Sequence, residues 1–150
     1  MKVVNTEEYV SMLRGLVEEG REVSMVVAGG SMFPFLADGR DSICFRTPDR
    51  ALRAGDIVFY RRPTGQYVLH RICRVRPEGY DIVGDAQTAI ERPVRRAQIF
   101  ALVTRVQRKG AWIAPGDFRW EFFARVWIRV IPLRPVLLRA YRLLSRFRRA

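Results

Sequence analysis

Short apolar segments separated by turn residues follow one another through most of the chain, from Val23 to Ile113. The segments are rich in Val, Ile, Phe and Tyr, which favour β-strands, and Gly, Pro and Asp mark the turns between them. Strands this short with connections this short build antiparallel sheets. We therefore predict a mostly β fold, either a compact sheet of mainly antiparallel strands or a partly closed barrel. The predicted strands are 23–27, 41–46, 56–61, 66–76, 79–83, 98–107 and 111–113.

Helical periodicity flanks this β region on both sides. It predicts an N-terminal helix over 5–19, with Asn5 as its cap. It also predicts two amphipathic C-terminal helices, over 117–131 and 135–149, which prolines separate. The chain then divides into an N-terminal helix packed on the core, a β domain and a basic helical tail, over 1–22, 23–115 and 116–150.

The predicted last helix carries a stripe of arginines at 139, 142, 146 and 149, largely opposite Val, Leu and Phe. A helix of this kind can lie in the interface of an anionic membrane, so peripheral association through residues 117–149 is one expectation. The alternative is that both helices pack on the β core with arginine coating the outside. A nucleic acid is disfavoured as a partner, because the tail lacks the Asn and Gln side chains that read base edges.

The length of 150 residues suits one domain, and the net charge of +12 suits an anionic membrane, a nucleic acid or an acidic peptide. No apolar run reaches the ~18–20 residues of a membrane span. The first residues lack the pattern of a secretory signal. The cysteines show no metal-ligand spacing. We expect a cytoplasmic protein, at most peripheral on the inner face of the membrane, without metal or cofactor.

A pair of glycines precedes Ser31 in the connection after the first predicted strand. Glycines permit unusual backbone angles, so a hydroxyl placed there can approach a carbonyl carbon while nearby N–H groups face the oxyanion that forms. Gly29-Gly30-Ser31 on its own is more typical of an ordinary turn.

His70 is the only histidine, and it falls inside a predicted strand. A serine needs a base to act as a nucleophile at neutral pH, and an imidazole has a suitable pKa for that task. An acid can then orient the imidazole, and Asp85 follows strand 79–83 in a Gly-Asp pair. Lone strand histidines and Gly-Asp turns also have purely structural explanations. The spacing alone does not show whether these side chains meet.

Taken together, these features resemble the type I signal peptidase family, over roughly residues 26–92. The resemblance is strongest to the branch of the endoplasmic reticulum and archaea, which uses serine and histidine. It implies a signal-peptidase-like β fold, which self-cleaving repressors of the LexA type share, with Ser31 as nucleophile and His70 as general base. The motifs that carry it are Gly29-Gly30-Ser31-Met32-Phe33-Pro34, Gly55-Asp56-Ile57-Val58, His70-Arg71-Ile72 and Gly84-Asp85.

The resemblance also implies roles for neighbouring residues. Asp85 matches the family's aspartate and Glu91 stands near a further acid of the branch, so one of the two is expected to orient His70. Neither Lys2 nor Lys109 falls at the lysine position of the Ser–Lys enzymes, which argues against a self-cleaving repressor. The expected oxyanion and substrate-binding positions are Gly29, Gly30, Met32 and Pro34.

The sequence departs from the family in three ways. Gly29 stands where the family usually has a serine that helps to bind the oxyanion, Ala86-Gln87 replaces a usual Asn-Asn, and the sequence shows no N-terminal membrane anchor. Two hypotheses follow. The first is a serine endopeptidase that cleaves a precursor or leader peptide after small residues. The second is a non-catalytic peptide- or membrane-binding relative of the same fold.

Overall fold

The computed structural model describes residues 6–148. These residues form an N-terminal helix, an eight-stranded sheet and a C-terminal helical segment. The predicted mostly β fold, with one helix before the sheet and two after it, is confirmed. Helix α1 spans Thr6–Glu18, and the strands are β1 Val23–Val26, β2 Ser42–Arg46, β3 Ile57–Arg61, β4 Tyr67–Arg76, β5 Gly79–Val83, β6 Glu91–Val94, β7 Ile99–Arg108 and β8 Ala111–Ile113.

The strands are ordered β1-β2-β7-β3-β4-β5-β6 across the sheet, and all pairs are antiparallel. One edge of the long strand β7 pairs with β2, and the other edge pairs with β3 and then with β8. The β3–β4 hairpin turns at Pro63-Thr64-Gly65, and its register places Val58 opposite His70. His70 therefore lies in the interior of the sheet.

The sequence pattern does not predict strand β6. This strand contains Pro93, which has no N–H to donate, and Arg92, so it lacks the apolar alternation of a typical strand. β6 is an end strand of the sheet, and an end strand tolerates proline because only one of its edges is paired. The β5–β6 pairing places Glu91 opposite Ile82 and so ties this acid to the sheet.

The main apolar core lies between one face of the sheet, helix α1 and the C-terminal segment. Val10, Leu13 and Val17 recur at helical spacing on α1, and all three are buried. A second, smaller cluster includes Tyr60 and Ile82 and packs around β3, β4 and β5.

The first C-terminal helix differs from the continuous helix predicted over 117–131. It begins as α2, Phe118–Glu121, widens into a π-helical turn and then tightens into 3-10 turns over Trp127–Arg129 and Ile131–Leu133. Pro132 cannot donate a helical hydrogen bond, and the Trp127 indole N–H is held by the Asp85 carbonyl oxygen at 2.8 Å. These constraints prevent one regular α-helix from running through the segment.

Helix α3 spans Arg134–Arg148 and follows directly. The Asn5 cap and the last arginine of the stripe, Arg149, lie outside the described residues. Within residues 6–148, none of the helices is both long enough and apolar enough to cross a bilayer.

Candidate active site

Ser31 lies in the loop between β1 and β2, directly after two glycines. Gly29 has φ +84°, a left-handed conformation that side chains rarely adopt, and its N–H donates to Asp38 Oδ1 at 3.0 Å. A serine at position 29 would be strained in this turn. The glycine that departs from the family pattern is therefore the residue type that this backbone requires.

Buried side chains hold the loop on the C-terminal side of Ser31. Met32 and Phe35 are fully buried in the main core. Arg108 donates to the carbonyl oxygens of Phe35 and Pro34, at 2.8 and 3.2 Å. Ser31 itself is only half-buried, so its hydroxyl remains next to open space while its neighbours are fixed.

The loop after β5 packs directly on the Ser31 backbone. The Ala86 N–H donates to the Ser31 carbonyl oxygen at 2.9 Å. A Cβ at Gly84 would lie 2.6 Å from the same oxygen, so only glycine permits this approach. Arg134 of α3 donates to the carbonyl oxygens of Gly84 and Gln87 from the other side. The Ser31 loop, the β5–β6 loop and the start of α3 are thus joined.

Asp85 forms a buried ion pair with Arg71, through hydrogen bonds of 2.8 and 2.9 Å. Arg71 also donates to the Gly55 carbonyl oxygen and stacks over the Phe35 ring at 5.2 Å. Among the hydrogen bonds of residues 6–148, none joins Asp85 to His70. Asp85 therefore ties the β5–β6 loop to the sheet and to the Ser31 loop.

Glu91 reaches His70 through a tyrosine. The Tyr60 hydroxyl donates to Glu91 Oε1 at 3.0 Å and lies 3.4 Å from His70 Nδ1. A phenol has one proton, and Tyr60 gives it to the carboxylate, so the contact with the imidazole requires the proton to be on Nδ1. This tautomer leaves Nε2 with a free lone pair. Arg62 holds the carboxylate in place, with Nε 2.9 Å from Glu91 Oε1.

The surroundings of His70 disfavour its charged form. The residue is 5% exposed. Burial and, to a smaller extent, the positive charge of Arg62 lower the pKa of His70 to about 4, although the negative charge of Glu91 opposes this change. Burial and the Glu91 charge also raise the pKa of Tyr60. At neutral pH the imidazole is therefore neutral and the phenol protonated, as the proton arrangement above requires.

Ser31 and His70 line the same cavity, which has a volume of about 280 Å³. No hydrogen bond joins their side chains in the described part of the chain. Within residues 6–148, the Ser31 backbone N–H also has no acceptor. The rest of the lining is mostly apolar and includes Val27, Met32, Ile43, Phe59 and Leu69.

Ser31, which carries the hydroxyl and the backbone N–H, and His70, which carries the neutral imidazole, thus line one mostly apolar cavity. Nucleophilic attack on a carbonyl carbon needs such a set of groups, namely a hydroxyl, a base and a donor for the oxyanion. Of the positions expected to serve the oxyanion or the substrate, Gly29 and Gly30 form the turn before Ser31, Met32 lines the cavity, and Pro34 accepts from Arg108. Within residues 6–148, no three His, Cys, Asp or Glu side chains form a group that could hold a metal ion.

Sequence reasoning missed Tyr60. The signal that could have found it is the hairpin turn at Pro63-Thr64-Gly65, which sets Val58 opposite His70 and places Tyr60 diagonally from His70 on the same face. The partner of Asp85 was also missed. Arg71 directly follows the histidine, but neither its burial nor its pairing has a local signature.

We compared the chain with models of protein families, with curated proteins and with solved structures. None of them matches it. The assignment of function therefore depends on the arrangement of its own residues.

Proposed function

We propose that the protein is a serine endopeptidase, with Ser31 as nucleophile and His70 as general base. The observation that carries the proposal is the shared cavity, which is bordered by the only histidine and by a serine far from it in sequence. The resemblance of the motifs to the Ser–His branch of signal peptidases supports the same assignment.

In the proposed mechanism, His70 Nε2 accepts the proton of the Ser31 hydroxyl as Oγ bonds to the scissile carbonyl carbon. The carbonyl oxygen becomes an oxyanion and accepts a hydrogen bond from the Ser31 N–H. The imidazolium then protonates the departing amine, which leaves an ester on Ser31. Water attacks this ester with His70 again as base, and the acid product and free serine result.

Glu91, acting through Tyr60, is the acid that we assign to His70. When Nε2 gains a proton, the Nδ1–H can donate to the Tyr60 oxygen while Tyr60 donates to Glu91, so this chain of groups orients and stabilises the imidazolium. Asp85 acts at a distance, because its ion pair with Arg71 supports the loop that contacts the Ser31 carbonyl oxygen.

The proposed substrate is a precursor or leader peptide that enters the cavity in an extended form. The family resemblance favours small residues before the scissile bond. The cavity of about 280 Å³ also admits an aliphatic side chain, and its lining is mostly apolar. Whether the residue before the scissile bond is small or aliphatic, we therefore expect it to be apolar.

We further propose that α3 holds the protein on an anionic membrane surface, on the inner face of the membrane. Arg134 and Leu138 anchor one side of α3 in the protein. The other side is apolar and open to solvent, with Val136, Leu144 and Phe147 exposed by 69, 65 and 78%. Residues 122–148 contain no Asp or Glu but carry arginine at 125, 129, 134, 139, 142, 146 and 148. This charge complements anionic headgroups and disfavours pairing with a second copy.

Cleavage of a degenerate peptide mixture, read by mass spectrometry, tests the peptidase assignment. We expect wild type to generate new termini and Ser31→Ala to generate none, with Ser24→Ala on the exposed side of β1 as the matched control. If Ser31→Ala cleaves as wild type does, or if wild type cleaves nothing, the assignment is wrong. The latter outcome favours the non-catalytic peptide-binding relative.

A further inference from the structure

A second and larger cavity adjoins the Ser31 cavity. Its volume is about 940 Å³, and it lies between the β5–β6 loop and helix α3. The two cavities share Arg62, His70 and Gln87 as lining residues, so they meet at the imidazole. A peptide whose scissile carbonyl lies at Ser31 can therefore continue past His70 into this second cavity.

The second cavity is basic. Arg62, Arg139 and Arg142 line it, and Glu91 is the carboxylate among its lining residues. Glu91 is already engaged, because it accepts hydrogen bonds from Arg62 and from Tyr60. Within residues 6–148, neither Arg139 nor Arg142 forms an ion pair. Arg142 instead stacks over the Phe33 ring, with its guanidinium carbon 5.9 Å from the ring centre.

Arg139 and Arg142 stand three residues apart on α3, where neighbouring like charges repel. Leu138, between them in sequence, is buried and also lines the cavity. The anchored side of the helix thus directs two cations without a carboxylate partner toward the space next to the imidazole. Their repulsion is relieved when an anionic group binds between them.

We propose that this basic cleft, formed by Arg62, Arg139 and Arg142, binds acidic side chains of the peptide substrate. The inference rests on the proposed peptidase function and specifies its substrate class. The peptide would place an apolar residue in the Ser31 cavity and Asp or Glu a few residues further along the chain, beyond His70. An Arg guanidinium can bind a carboxylate through two parallel hydrogen bonds, which gives direction as well as charge.

The test uses two peptide mixtures of equal length that differ only in Asp and Glu against Asn and Gln at the positions beyond the cleaved bond. Exposed ion pairs contribute a few-fold each, so we expect wild type to prefer the acidic mixture about tenfold in kcat/KM at low salt. The preference should shrink as ionic strength rises. Arg139→Glu combined with Arg142→Glu should abolish or reverse it. Arg129→Glu, an exposed position outside the lining of both cavities, should leave it unchanged.

Binding to Ser31→Ala, measured by fluorescence anisotropy with single acidic and amide peptides, separates the two proposals. If acidic peptides bind more tightly but wild type cleaves nothing, the peptidase assignment is wrong and the basic cleft is supported as a site for acidic side chains. If cleavage occurs without acidic preference, the cleft inference is wrong. The cleft inference is also wrong if the variant with both Arg139→Glu and Arg142→Glu binds phosphatidylserine vesicles more weakly but keeps the peptide selectivity of wild type. Circular dichroism confirms that the variants are folded.

Discussion

At the scale of single residues, the environment of His70 determines what the imidazole can do. Its burial keeps it neutral, and the Tyr60 hydroxyl determines which nitrogen carries the proton. Among the described residues, the hydrogen-bonded link between Glu91 and the imidazole runs through that hydroxyl. Without the Tyr60 hydroxyl, a histidine at this position would have neither a defined tautomer nor a hydrogen-bonded link to a carboxylate.

Replacing Tyr60 with Phe should therefore impair catalysis more than binding. The substitution removes the group that orients the imidazole, and we expect kcat to fall by about tenfold to a hundredfold with little change in KM. Steady-state kinetics on a cleaved peptide measures this. Tyr80→Phe, on β5 beside the same apolar cluster, is the control and should behave as wild type. A kcat for Tyr60→Phe equal to that of wild type would show that the relay has no part in the reaction.

Asp85→Asn should behave differently, because its carboxylate pairs with Arg71 and not with the imidazole. Leaving a buried guanidinium without its counter-charge costs about 3–5 kcal/mol of the free energy of unfolding. Tyr60→Phe removes a weaker hydrogen bond and should cost about 1–2 kcal/mol. Urea unfolding of both variants compares these losses directly, and an equally stable Asp85→Asn would contradict the structural role.

The pH dependence follows from the neutral imidazole. Because the pKa of His70 is lowered to about 4, the imidazole is unprotonated, and so able to act as the proposed base, throughout the range above that value. When the pH falls below the pKa, the imidazole becomes protonated and can no longer accept a proton. The acid limb of kcat/KM should thus fall near pH 4, well below the ordinary histidine value of about 6.5. A limb near pH 6.5 would mean that the catalytic base is not this buried imidazole.

At the scale of elements, α3 has two sides with different surroundings. Arg134 at its start donates to the β5–β6 loop and to the Trp127 carbonyl oxygen, so the helix is part of the site. Its other side consists of exposed apolar residues. One side of the helix therefore packs on the protein, as one of the predicted alternatives for the tail has it, and the other side is the one that the proposed membrane association would use.

Substitution of Leu144 and Phe147 by Glu tests the membrane-facing side. Both side chains are exposed, so the fold should be kept while apolar contact with lipid is lost. We expect sedimentation with vesicles of phosphatidylcholine and phosphatidylserine to weaken at least about tenfold, since each buried apolar side chain contributes on the order of 1.5–3 kcal/mol. Met12→Glu, which alters an exposed apolar residue of α1, is the control. Unchanged sedimentation of the double variant would refute the proposal.

At the scale of the whole molecule, local patterns were sufficient to predict most of the fold. The seven predicted strands agree with the observed ones to within a residue at each end, because apolar content and turn residues are local properties. Strand β6 escaped prediction, since its proline is tolerated only at an end of the sheet. The π-helical turn also escaped prediction, because the buried contacts of Trp120, Phe123 and Trp127 with the core override helical propensity there.

The sequence by itself determined the order of the strands along the chain and the amphipathic ends, and it singled out Ser31 and His70 as candidates to act together. Only the tertiary structure decided which acid is linked to the imidazole by hydrogen bonds. The pairing of Asp85 with Arg71 and the path from Glu91 through Tyr60 depend on strand register and on burial. The pairing of charged groups depends on their distance in space and on how far they are removed from water. Neither quantity can be read from the spacing of residues along the chain.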